Sequence, residues 1–95
     1  MPHRLRPSVL AFALDVEAAL GRNEHKTCWS TVPLDDLDAL LALETAELSN
    51  ELPDAERVGS RYPRIASEAA DVGAVAMMIH DRAQGPAASA NRGRK

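Results

Sequence analysis

Apolar residues recur every three or four positions in three separate stretches of the chain. Leu5, Val9, Phe12, Val16 and Leu20 make the first series, and Leu37, Leu40, Leu41, Leu48 and Leu52 the second, with Glu44 standing in the stripe between Leu41 and Leu48. Ile65, Ala69, Val72, Ala76 and Ile79 make the third, widened by Val75 and Met78. That spacing puts each series on one face of an α-helix. The first helix is predicted from Pro7 or Ser8 to about Leu20, with Gly21 as its stop. The second begins at Asp35 or Asp36, whose acidic side chains suit the positive end of the helix dipole, and is ended by Pro53. The third begins at Pro63 or Arg64, where proline fits a first turn, and runs to about Arg82. Gly85 and Pro86 break the pattern beyond it. A polar loop from Arg22 to Pro33 carries the only Trp, and a connector from Pro53 to Pro63 carries the only Tyr with Arg57 and Arg61. The fold class is therefore all-α, with three main helices in one domain over residues 1–83 and a flexible basic tail over 84–95.

Composition sharpens this picture. There is one Phe, one Trp and one Tyr in 95 residues, so the core must come from Leu, Ala, Val and Met. Those residues favour close-packed helices over a sheet. Ala69, Ala70, Gly73, Ala74 and Ala76 are small enough to let another helix approach closely. A chain this short buries only a modest core, so the helical bundle is expected to be completed by oligomerisation, as a homodimer or homotetramer.

Charge narrows the function. The net charge is -3, which argues against a general nucleic-acid binder. The ends are basic and the middle is acidic, so a polyanionic ligand held by the middle would need metal ions between itself and the protein. A single cysteine, Cys28, excludes an intrachain disulfide and suits a reducing compartment. The opening residues do not read as a signal peptide, and no apolar run is long enough to cross a bilayer. A cytoplasmic protein with no membrane partner is expected.

The middle holds two acidic pairs, Glu44 with Glu47 and Glu68 with Asp71, each spaced i,i+3 and so on one helix face. Any one such pair is ordinarily a solvated surface. Two pairs beside apolar stripes on successive antiparallel helices point further. The 20 residues between Glu47 and Glu68 leave room for a turn, so the pairs can face one another. Four carboxylates meeting beside an apolar core repel at neutral pH, and a divalent cation neutralises them. An oxygen-only set suits Mg²⁺, with Mn²⁺ as the alternative. His25 and Cys28 have no second pair with which to hold zinc, and His80 lies too far from Asp71 to complete a Glu-x-x-His di-iron pattern.

These residues carry a resemblance. Glu44-x-x-Glu47 followed by Glu68-x-x-Asp71, with Lys26-Thr27-Cys28-Trp29 before them and Met77-Met78-Ile79-His80-Asp81 after them, is similar to the all-alpha nucleoside triphosphate pyrophosphatases. Within that superfamily it resembles the MazG-like group and its small phage-type members, over roughly Val9 to Arg82. The resemblance implies hydrolysis of a (deoxy)nucleoside triphosphate between the α and β phosphates, releasing a monophosphate and pyrophosphate. Glu44, Glu47, Glu68 and Asp71 would be the Mg²⁺ ligands, one of the glutamates also serving the attacking water. A purine deoxynucleotide such as dGTP or dATP is the expected substrate, with dUTP as an alternative, in a host cytoplasm if the gene is a phage's. Larger members carry a basic or amide residue shortly after the final Asp. Here Gly73, Ala74 and Val75 stand in that place, which moves the phosphate contacts to the Lys26 loop or to another subunit.

Lys26 is then a candidate catalytic and phosphate-contacting residue, and Trp29 a candidate for stacking on the base or closing the pocket. Arg61 is a third substrate-binding candidate, from the connector between the acidic pairs. Their plain alternatives are an exposed loop lysine, a core tryptophan and a surface arginine. The rival to the enzyme is a non-catalytic helical dimerisation or regulatory module, whose glutamates would make only surface or interface ion pairs.

Overall fold

A computed structural model describes residues 4–22, 29–57 and 59–85. Among them there are three α-helices and no strand: α1 is Pro7–Arg22, α2 is Leu34–Glu51 and α3 is Tyr62–Ala83. Short 3₁₀ turns, Trp29–Thr31 and Gly59–Arg61, precede α2 and α3. The all-α expectation holds, and the helix limits fall within a residue or two of those read from periodicity. The first helix runs one residue past Gly21, which a single glycine near a helix end tolerates.

The ends of the helices follow from local chemistry. Pro33 opens α2 with extended backbone, and its carbonyl accepts the N–H groups of Asp36 and Leu37 at 3.0 and 3.1 Å. No side chain caps this end, and Asp35 and Asp36 in the first turn supply the favourable charge instead. After α2, the connector turns through Asp54, at φ 60°, a left-handed conformation that Asp tolerates better than most residues. The turn tucks Ala55 out of solvent, and Arg57 pairs with Asp54 on its outside. Beyond α3 the chain turns away at Gly85, with φ 106°.

The central element is α3, against which both other helices pack. The pairing with α2 is antiparallel. Arg64, near the start of α3, meets Glu51 at the end of α2, and Met78, near the end of α3, lines a cleft with Leu37 from the start of α2. On another side, α1 approaches α3 over its small residues. The ring of Phe12 and the side chain of Val16 lie so close to Gly73 that a Cβ there would overlap Phe12 Cζ. Glycine therefore buys close approach at a helix contact, at a cost of roughly 1 kcal/mol in helix propensity.

The core is small and largely built of alanine. Among the described residues, Val16, Ala19, Leu37, Ala55, Ala70, Ala74 and Val75 are its buried apolar residues, and Leu37 is the only large one fully enclosed. On α3 the buried line is Ala70, Ala74, Val75 and Asp81; the periodic series from Ile65 to Ile79 is half-buried, with Ala76 exposed. Burial follows the closest helix approach, which small residues permit, and hydrophobic periodicity marks only the general side. Of the first helix's stripe, Val16 is buried and Leu20 half-buried, whereas Leu5, Val9 and Phe12 are exposed, as are Leu10 and Leu14. No helix among the described residues is long and apolar enough to cross a membrane.

Candidate metal centre

Antiparallel pairing brings the middle of α2 beside the first half of α3, where the acidic residues stand. One oxygen each from Glu44, Glu68 and Asp71 falls in a group whose members lie within 4.8 Å of one another, all three residues being half-buried. Glu47 stands one turn along α2, more exposed, and lines the same cleft with Glu44 and Asp71. That cleft, of about 460 Å³, is walled on its apolar side by Leu20, Leu37, Ala74, Val75 and Met78. The position of the carboxylates on the two helices follows from sequence spacing. Their convergence follows from the antiparallel register.

The electrostatics are unfavourable for bare carboxylates. Glu44 is held above the ordinary glutamate value first by burial, then by Glu47, Asp71 and Glu68, and by a hydrogen bond shared with Glu47. Glu68 is raised first by burial, then by Glu47 and Asp71; Arg64 opposes this, and Glu51 adds to it. The Oε2 atom of Glu68 is buried and has no hydrogen-bond partner among the described residues. An orphaned carboxylate oxygen costs free energy unless it is protonated or given a cation. The donor set is all oxygen and gathered in one place. It fits a hard divalent cation such as Mg²⁺ or Mn²⁺, the ions that carboxylates hold in preference to softer ones.

Two arginines flank the acidic group. Arg64 Nε lies 2.9 Å from Glu51 Oε2 and sets the end of the α2–α3 pairing. Arg22, the last residue of α1, places Nη2 3.5 Å from Asp71 Oδ1. Neither pairing was singled out from the sequence. The signal for the first was present: Glu51 lies four residues after Glu47, and Arg64 four before Glu68, so both sit one turn outside the acidic pairs. For Arg22 there was none, because Gly21 reads as the end of the helix and hands Arg22 to the loop.

The remaining candidates take other places. Trp29 donates its indole N–H to Asp81 Oδ2 at 3.0 Å, and Arg82 reaches back to the carbonyls of Trp29 and Val32. These contacts fasten the turn before α2 to the end of α3. They give Trp29 a structural task, and its ring also lines a second, mainly apolar cleft of about 460 Å³ with Phe12, Val16, Gly73 and Met77. Arg61 donates to the carbonyl of Pro53 at 2.8 Å and so closes the connector. Lys26, with Asn23, His25 and Cys28, lies outside the described residues, as does the tail from residue 86. Comparison with protein-family models, curated proteins and solved structures found no match to the chain.

Proposed function

We propose that the protein is a divalent-cation-dependent nucleoside triphosphate pyrophosphohydrolase that cleaves the α–β phosphoanhydride. The observation that carries this reading is the convergence of Glu44, Glu68 and Asp71, together with a Glu68 Oε2 atom that has no hydrogen-bond partner among the described residues. The resemblance of Glu44-x-x-Glu47 and Glu68-x-x-Asp71 to the MazG-like pattern supplies the reaction class. In this reading Glu44, Glu68 and Asp71 hold Mg²⁺. When bound, the ion neutralises phosphate oxygens and makes a water more acidic. Glu47, beside the triad and better solvated, is the group that orients the attacking water and takes its proton. Basic side chains balance the charge of the departing pyrophosphate, with Lys26 as the loop candidate.

Pairing of copies belongs to the same reading. Leu5, Val9, Leu10, Phe12 and Leu14 are each exposed on and before α1, and a second copy would cover part of that apolar surface. A homodimer or homotetramer would complete the bundle that the small core leaves open.

The test is pyrophosphate release from a panel of triphosphates, beginning with dGTP, dATP and dUTP, with Mg²⁺ and with chelator. The expected result is Mg²⁺-dependent release that Asp71→Asn abolishes while helical content is retained. Full turnover by Asp71→Asn, or no release from any triphosphate, would reject the reading.

A further inference from the structure

Arg22 and Arg64 are both paired with carboxylates beside the acidic group, yet their circumstances differ. Arg64 is 2.9 Å from Glu51, which stands outside the converging triad. Arg22 touches Asp71, which is a member of it. The Arg22 contact is long, 3.5 Å, and involves one nitrogen of the guanidinium, whose side chain is 55% exposed. Arg22 also lines the cleft that holds Glu44, Glu47 and Asp71. A guanidinium in this position competes with any cation for Asp71. Once a cation satisfies Asp71, the arginine loses its attraction there and is left at the mouth of the cleft. Its planar fork matches phosphate oxygens better than an ammonium does.

We propose that Arg22 is a substrate-positioning residue with two partners in turn. It neutralises Asp71 while the carboxylates hold no divalent cation, and it moves to the phosphate oxygens of a triphosphate once they do. This role rests on the pyrophosphohydrolase reading, which supplies both the cation and the triphosphate.

The two partners predict effects of opposite sign. The probes are Mn²⁺ alone, titrated by loss of the free-ion electron paramagnetic resonance signal, and an α,β-methylene deoxynucleoside triphosphate bound in the presence of Mn²⁺. Arg22→Gln is expected to tighten Mn²⁺ binding by roughly two- to fivefold, the worth of an exposed ion pair that no longer competes. The same variant is expected to weaken the nucleotide analogue by about tenfold, the worth of a charge-assisted contact. Arg57→Gln makes the same change of charge at a residue paired with Asp54 in the connector, and is expected to do neither. Arg22→Lys keeps the charge and loses the fork, so it should fall between wild type and Arg22→Gln for the nucleotide. Melting curves for each variant check that the helices are intact. Equal shifts in Arg22→Gln and Arg57→Gln, or weaker Mn²⁺ binding by Arg22→Gln, would overturn the proposal. If wild type binds Mn²⁺ and nucleotide and Arg22→Gln leaves both unchanged, this inference alone fails. If wild type binds neither, the pyrophosphohydrolase reading fails with it.

Discussion

Two acidic side chains on α3 meet their surroundings in opposite ways. Asp81 is the more deeply buried, at 6% exposure, and the fold gives it the indole N–H of Trp29. Glu68, three and a half turns earlier, is only half-buried, but its Oε2 atom is enclosed without a hydrogen-bond partner among the described residues, and its neighbours are mostly other carboxylates. Depth of burial therefore does not decide which acid the fold satisfies: the chain provides for Asp81 from within, whereas Glu68 is left mostly among other carboxylates.

The largest expected effect at the Glu68 end is on catalysis. Glu68→Gln or Asp71→Asn should lower Mg²⁺-dependent pyrophosphate release by roughly 10²-fold or more, since even residues behind metal ligands are worth 10–100-fold. A steady-state assay on purified variants measures this, and a loss under threefold would break the comparison. The Asp81 end should answer in stability instead. Asp81→Ala leaves the Trp29 N–H without its acceptor and should cost about 1–3 kcal/mol in denaturant unfolding. An unchanged midpoint would show that the pairing holds nothing together.

Smaller effects carry the sign of the difference. Without metal, Glu68→Gln should raise the melting temperature at pH 7, because it removes a charge from a crowded acidic group. Asp81→Ala lowers it. The same logic fixes a pH dependence. Glu44 and Glu68 are raised in the folded chain from the glutamate value of 4.5, so the folded state holds protons more tightly than the unfolded one. Their contribution to metal-free stability is undiminished below pH 4.5 and is lost as pH rises through the raised values. Melting curves from pH 4 to 8 should show this decline attributable to the pair, and Glu44→Gln with Glu68→Gln should flatten it. Saturating Mg²⁺ should lift the neutral end of the wild-type curve, by about 2.7 kcal/mol at a hundredfold excess over Kd.

The helices and the acidic pairs were legible in the sequence because both depend on spacing along one chain. Of the predicted α2 stripe Leu37 is buried and Leu41 and Leu48 half-buried, whereas Leu40 and Leu52 are exposed; Glu44 and Glu68 fall beside the apolar faces. What periodicity did not show is which side of α3 is most buried. Two helices approach that element from different sides, and the closest contacts fall on Ala70, Gly73 and Ala74. Arg22 on Asp71 and Trp29 on Asp81 were hidden for a related reason. Each joins residues about fifty positions apart, through a packing of α1 and of the first 3₁₀ turn on α3 that no local pattern encodes.

The most direct measurement is a crystal structure of the protein grown with Mn²⁺, with anomalous scattering collected to locate the ion. A peak should lie between Glu44, Glu68 and Asp71, with carboxylate oxygens at roughly 2.0–2.3 Å and the formerly orphaned oxygen of Glu68 turned toward it. Ordered carboxylates at full Mn²⁺ saturation with no peak among them would contradict the account.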